Sequence, residues 1–249
     1  MLPLERQNQI LEILAKKKAA SVEELCQMVY SSGATIRRDL SVLENSGQIR
    51  RTHGGAVYVE SAAVDSPLML RETENRYAKG LIAQKASAFL RDGQTLFLDS
   101  SSTAGALASL LGPFKNMRVI TNSLKTVNQL SELNDVEVYC AGGRLRESAL
   151  SFIGPAAVRF LDSFHVDYAF ISCRGADLKN GVTESSEEEA VVKEACLRNA
   201  ARTVLLCDAT KLGKSYFCKV CDLHQLWDII SDRPLPEEYS ALLRRSREP

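Results

Sequence analysis

The chain has 249 residues, enough for one large domain or for a small domain joined to a medium one. Its 31 basic and 31 acidic residues cancel, which excludes a chain coated in positive charge, so any nucleic-acid contact must come from a local cluster. No uncharged apolar run approaches the ~18 residues of a membrane helix, and Glu5, Arg6 and Glu12 interrupt the first apolar residues. No membrane partner and no signal peptide are therefore expected, and the expected location is cytoplasmic.

Three short helices are predicted at the front of the chain. Ile10, Ile13 and Leu14 form one apolar stripe, and Lys16, Lys17 and Lys18 close that helix where cations suit its dipole. Ser21-Val-Glu-Glu24 is a capping box opening a second helix, with Leu25, Met28 and Val29 as its buried face. Tyr30 to Gly33 breaks the pattern, a third helix runs from about Ser32 to Asn45, and Gly47 stops it. Gln48 to Val57 then suits a short strand and turn around Gly54-Gly55. These observations set a first domain at 1–57. A linker at 58–75 follows, containing the small, polar, patternless stretch from Glu60 to Pro67.

The second domain, 76–249, begins with a helix carrying Leu81, Ile82, Ala86 and Leu90 and ended by Asp92-Gly93. Short apolar runs follow at Thr95–Leu98, Arg118–Ile120, Val136–Tyr139, Tyr168–Ile171, Val204–Cys207 and Trp227–Ile230. Helical stretches such as Ala104 to Leu111, Ser123 to Leu133 and Glu187 to Ala200 lie between several of them. Such alternation predicts an α/β fold with an open, mostly parallel sheet covered by helices.

The third helix carries the sharpest chemistry of the first domain. Ile36, Leu40 and Leu43 share one side at i, i+4 and i+7, while Ala34, Arg38, Ser41 and Asn45 lie opposite, flanked by Thr35 and Arg37. A helix so anchored presents a positive, hydrogen-bonding face at its N-terminal half, the half that a recognition helix inserts into a major groove. Arginine suits that task because its fork donates twice to guanine or clamps a phosphate. Arg50-Arg51-Thr52-His53-Gly54-Gly55 adds charge and hydroxyl on a tight turn beyond it. A merely solvated surface would explain the arginines alone, but not the whole string.

Ala34-Thr-Ile-Arg-Arg-Asp-Leu40, Leu43-Glu44, Gly47 and Arg51-Thr-His-Gly-Gly-Ala56 resemble the N-terminal signature of the DeoR family of bacterial transcription regulators. The resemblance extends over essentially the whole chain. It implies a winged helix-turn-helix that reads a double-stranded DNA operator, and Ser32 matches the family's helix-capping serine. Candidate DNA contacts are Ser32, Ala34, Thr35, Arg37, Arg38, Ser41, Arg50, Arg51, Thr52 and His53. Tyr30-Ser31 departs from the small turn residue and valine usual in the family.

In the second domain, Leu96-Phe-Leu-Asp99 runs into Ser100-Ser-Ser-Thr103 and a helix start. Hydroxyls and free amides there suit an anion; N-capping by Ser102 or Thr103 explains the same residues. Thr121-Asn-Ser123, Gly142-Gly-Arg144, Arg174-Gly-Ala-Asp177 and Asp208-Ala-Thr-Lys211 end other strands, where open α/β sheets bind ligands. The same stretches resemble the DeoR-type effector domain, which implies a Rossmann-like fold related to ribose-5-phosphate isomerase and a phosphorylated sugar as effector. On that resemblance Ser100, Ser101, Ser102 and Thr103 hold phosphate with Lys211 nearby, and Asp99, Asn122, Asp177 and Lys193 face the sugar, with Gly142 and Gly143 at a neighbouring turn. Ser-Ser-Thr stands where the family has Gly-Thr-Thr, and Cys173-Arg174 where small residues are common.

The rival reading is a sugar-phosphate isomerase or deaminase with a DNA-binding appendage. Isomerisation needs a positioned base, and Asp99, Asp177 and Glu184 are candidates, but Leu178 stands where isomerases carry another acid. A regulator without turnover, cofactor or metal is expected, acting as a homo-oligomer (dimer or tetramer) because one small helix-turn-helix buries little DNA. Seven cysteines should be mostly buried thiols. Cys218-Lys-Val-Cys221 with His224 has metal or redox spacing, yet Phe217, Val220 and Leu223 at helical spacing suit a packed helix as well.

Overall fold

The computed structural model describes residues 3–45, 49–58 and 67–245. Its contacts divide the chain into units 1–70 and 71–249. In the first, α1 (Pro3–Lys17), β1 (Ala19–Ser21), α2 (Val22–Val29), α3 (Gly33–Asn45), β2 (Ile49–Thr52) and β3 (Gly55–Tyr58) follow one another. Ile10, Leu14, Leu25, Val29, Ile36 and Leu40 close one core. The capping box forms: Ser21 Oγ accepts from Glu24 N at 3.1 Å, and Glu24 Oε2 accepts from Ser21 N at 2.8 Å. Met28, expected in the buried face, is exposed. In a helix of only eight residues, Leu25 and Val29 at i, i+4 already fill the inner stripe.

The turn after α2 is made by Tyr30, which takes the left-handed conformation at φ 51° while its N–H caps Cys26 O. The expected single strand and turn is a hairpin of β2 and β3 around His53-Gly54, and β1 adds a third strand in the order β1-β3-β2. This is a winged helix-turn-helix. Gly55 is required by close approach, since a Cβ there would lie 2.1 Å from Ala20 O. Gly47 and residues 59–66 of the expected linker lie outside the described residues. Within the rest of that linker, Leu68–Thr73 form a helix, α4, rather than an irregular stretch.

The second unit runs α5 (Arg76–Ser87), β4 (Thr95–Leu98), α6 (Ser102–Ala108), β5 (Met117–Thr121), α7 (Leu124–Leu130), β6 (Val136–Cys140), β7 (Arg144–Arg146), β8 (Ser151–Ile153) and α8 (Pro155–Leu161). It continues with β9 (Val166–Ile171), β10 (Gly175–Asp177), β11 (Gly181–Glu184), α9 (Glu187–Arg198), β12 (Ala200–Leu206), a 3-10 turn (Ala209–Lys211), β13 (Cys218–Cys221), β14 (Asp228–Ile230) and α10 (Glu237–Arg245). All six apolar runs seen in the sequence enter one parallel sheet, ordered β14-β12-β9-β4-β5-β6. Alternate residues feed two cores: Leu96, Leu98, Phe170 and Leu206 pack with α5 and α6, while Phe97, Ile171 and Leu205 pack with α8 and α9. Burial on both faces explains why these strands are continuous apolar runs rather than alternating ones.

Two antiparallel additions were not foreseen, the β7–β8 hairpin and the sheet β10-β11-β13. The second corrects the helical alternative for Cys218–Cys221. That stretch is a strand, paired antiparallel with β11 and interrupted by a bulge, and Phe217 is 89 % exposed. Among the described residues no cluster of three His, Cys, Asp or Glu side chains could hold a metal, and no helix is long and apolar enough to cross a membrane.

Candidate functional site

In the winged helix, Ser32 caps α3: its Oγ accepts from Thr35 N at 3.3 Å and shares a hydrogen bond with Thr35 Oγ1 at 2.9 Å. Ile36, Leu40 and Leu43 are buried beneath, and Ala34, Arg37 and Arg38 are exposed on the outer side with Thr35 and Ser41 half-buried. Arg50, Arg51, Thr52 and His53 are exposed along the wing. Arg51 joins helix and wing, since its Nη1 donates to Ser41 Oγ at 2.7 Å and its N–H to Glu44 Oε1 at 2.9 Å. A groove of about 440 Å³ lies between them, with Arg37, Arg51, Thr52 and His53 in its walls. Asp39, on the same helix, faces inward: it is 2 % exposed and bonded to Arg6 Nε at 2.5 Å and Gln7 Nε2 at 3.0 Å. This buried pair fixes α3 on α1 and was not legible from the helix alone.

In the second unit the strands, numbered along the chain within the sheet, run 3-2-1-4-5-6. The order reverses between β4 and β9, where two adjacent loops diverge and leave a crevice at the carboxyl ends. A cleft of about 160 Å³ opens there. Ser101 and Ser102 enter it after β4, Ser172, Cys173 and Arg174 after β9, and Asp208, Thr210 and Lys211 after β12. Arg71, Glu74, Asn75 and Lys79 line it from the α4–α5 turn, with Glu184, Lys193, Lys214 and Tyr216 completing it.

The cap of α6 is Ser101, whose Oγ accepts from Ala104 N at 3.1 Å, rather than Ser102 or Thr103. Asp99 lies behind the cleft, 1 % exposed, accepting from Ser101 N at 3.0 Å and Ser172 N at 2.8 Å. It therefore ties the two loops at the reversal point together. Lys193 projects from α9 to the same place, pairing with Glu184, with Asp99 at 3.3 Å, and donating to Ser172 O at 2.7 Å. Burial works to lower its pKa, but Glu184, Asp99 and Glu189 together hold it above the ordinary lysine value. Lys211 Nζ reaches Ser172 Oγ at 3.2 Å and Asp208 Oδ2 at 3.7 Å.

Of the residues that the sequence nominated, Ser101, Ser102, Lys193 and Lys211 meet in the cleft. Ser100 and Thr103 are buried beside it, with Ser100 Oγ donating to Glu189 Oε2 at 3.3 Å. Asn122, Gly142, Gly143 and Asp177 do not line it. Asn122 is buried and donates to Phe152 O at 3.2 Å. Gly142 and Gly143 follow β6, the far strand, and a Cβ on Gly143 would meet Ile153 O at 2.6 Å, so packing explains that glycine. Asp177 closes the β10–β11 turn, its Oδ1 accepting from Lys179 N and Asn180 N. The physical reason is topological: the reversal point favours loops after β4, β9 and β12 over those after β5 and β6.

Residues 6–62 match the DeoR-like helix-turn-helix domain, and residues 74–233 match the DeoR C terminal sensor domain. The chain belongs to the DeoR family. The uncharacterized HTH-type transcriptional regulator YulB of Bacillus subtilis (strain 168) is 36 % identical over 97 % of this chain and 94 % of its own length. The glycerol-3-phosphate regulon repressor of Escherichia coli (strain K12) is 31 % identical over 95 % of this chain and 93 % of its own. The solved ribose 5-phosphate isomerase A of Methanocaldococcus jannaschii is 18 % identical over 56 % of this chain and 55 % of that one, with a TM-score of 0.42. Both halves of the DeoR regulator are thus present, and the relatives span them end to end.

Sequence reasoning missed Arg71, Glu74, Asn75 and Lys79, because they fall where a linker and a helix start were expected. It also treated Glu184 only as a rival catalytic base.

Proposed function

We propose that this DeoR-family chain is a sequence-specific regulator of a carbohydrate operon whose operator affinity is set by a phosphorylated sugar in the cleft. The observation that carries the effector half is the charge of the lining. Arg71, Lys79, Arg174, Lys193, Lys211 and Lys214 face Glu74, Glu184 and Asp208 there, so cationic side chains outnumber carboxylates two to one. A phosphate ester with ≈ −1.5 to −2 charge offsets roughly half to two-thirds of that excess, and a cavity of about 160 Å³ suits a small sugar rather than a polymer. Ser101, Ser102 and Lys211 then hold phosphate, and Lys193 and Arg174 meet the rest of the molecule. The name of the glycerol-3-phosphate relative accords with an effector of this class.

For the operator half, Ser32, Ala34, Thr35, Arg37, Arg38 and Ser41 supply the major-groove face, and Arg50, Arg51, Thr52 and His53 the wing contacts. Two chains pair across two half-sites, and the cleft binds without turnover. Supporting that last point, Asp99 is enclosed and hydrogen-bonded, Glu184 is paired with Lys193, and Asp177 lies off the cleft.

The test is a thermal-shift panel of phosphorylated sugars and their unphosphorylated parents on the full chain, followed by an operator titration with any binder. A phosphorylated compound should raise the melting temperature and change operator affinity, and Ser102→Ala with Lys211→Met should abolish both. Equal shifts from the unphosphorylated parents, or none from any compound, would overturn the reading.

A further inference from the structure

Lys79 stands in the first turn of α5, 6 % exposed, with its ammonium turned back across the α4–α5 turn. It donates to the main-chain carbonyls of Arg71, in α4, and of Glu74, the latter at 2.6 Å. A cation on the last carbonyls of a helix holds that helix end in place. The charged groups facing it are Arg71 and Glu74 from the turn, and Asp208 and Lys211 from the loop after β12. The same turn is fastened to that loop by Asn75, whose Nδ2 reaches Asp208 Oδ1 at 3.5 Å and Thr210 Oγ1 at 3.4 Å. One wall of the cleft is therefore the end of α4, and its clamp is a buried ammonium beside a second lysine.

We propose that Lys79 is an effector contact in its own right: the anionic group of the bound molecule takes the Lys79 ammonium from the carbonyls of Arg71 and Glu74, and so releases the last turn of α4. This rests on the phosphorylated-sugar reading of the cleft. Burial, and then the neighbouring Lys211, lower the Lys79 pKa to about 8. An anion arriving at that ammonium favours its charged form, so binding at pH 8 draws in a proton. A phosphate ester is already fully ionised at that pH and contributes none.

The experiment is calorimetric titration of the full chain at pH 8, in two buffers of different ionisation enthalpy. The probes are inorganic phosphate and the phosphorylated sugar giving the largest thermal shift in the panel. Binding should take up close to half a proton per site, because a group with a pKa of about 8 is half-protonated there. Lys79→Met should weaken binding roughly ten- to a hundred-fold, as expected for one charge-assisted contact, and remove the uptake. Lys79→Arg keeps the charge and the fold; it should bind within a few-fold of the parent with no uptake. If the sugar phosphate binds and Lys211→Met weakens it, while proton uptake is absent and Lys79→Met binds like the parent, the Lys79 assignment is wrong and the cleft reading stands. If neither probe binds, both fall together.

Discussion

Replacing Lys193 with methionine removes the one ammonium that joins α9 to the reversal point of the sheet. The side chains it meets are nearly enclosed, Asp99 at 1 % and Glu184 at 8 % exposure, and Ser172 O loses its donor as well. Two carboxylates then remain buried side by side with no ammonium donating to them, the Arg71 guanidinium being the cation left to act on both. Breaking a buried pair from one side costs about 3–5 kcal/mol, a fifth or more of the ~5–15 kcal/mol that ordinary domains possess. For a chain of this size that corresponds to a fall in melting temperature of roughly 6–20 °C. The single tryptophan, Trp227, packs edge-on against Phe89 at 5.2 Å within the same unit, so its fluorescence reports on the unit under test. Adding Glu184→Gln to Lys193→Met should recover part of the loss at pH 7.5. A variant that melts within about 2 °C of the parent at that pH refutes the account of the pair.

Gly55→Ala should open the β1–β3 pairing, because the new Cβ would sit 2.1 Å from Ala20 O and 2.7 Å from Ser21 Cα. The expected cost is roughly 1–3 kcal/mol, read as lost operator binding in a gel shift while the Trp227 transition stays put; unchanged DNA binding would show that the wing tolerates the clash. Arg38→Ala should remove operator discrimination, at ~1–3 kcal/mol for one bidentate base contact. Arg51→Ala should instead weaken binding to every sequence and flatten its salt dependence, and fluorescence anisotropy on specific and scrambled duplexes distinguishes the two.

The six sheet strands were legible because parallel strands covered on both faces are unbroken apolar runs, and the recognition helix because its apolar stripe and arginine face separate cleanly. The strands of β10, β11 and β13 were not, being three or four residues long and stabilised by pairing rather than by pattern. Phe217 was positively misleading: it supplies the helical spacing with Val220 and Leu223, yet its ring is exposed. In the cleft, loop residues after β4, β9 and β12 could be found from strand ends, whereas Lys79 sits among Leu81, Ile82 and Ala86 in what sequence presents as an ordinary amphipathic helix. Asp99 shows the converse limit. An acid at a strand end suits a sugar contact, but its oxygens accept the amides of Ser101 and Ser172.

That use of Asp99 bears on how such a cleft could act as a switch. The loops after β4 and β9 are bound to each other through Asp99, and α9 is bound to both through Lys193, so an effector meets those groups already in position. Contacts that are the same in two conformations supply affinity but shift no equilibrium. The α4–α5 turn differs, since its fastenings include the Lys79 ammonium on two of its own carbonyls and the Asn75 amide on Asp208 and Thr210. A hundred-fold change in operator affinity requires about 2.7 kcal/mol of differential binding. One or two charge-assisted contacts made in only one conformation are of that size. On the proposed effector reading, the residues from the turn rather than the serines of the β4 loop carry the switch: substitutions in the β4 loop should change how much effector is needed, and substitutions in the turn should change how far the operator affinity moves at saturation.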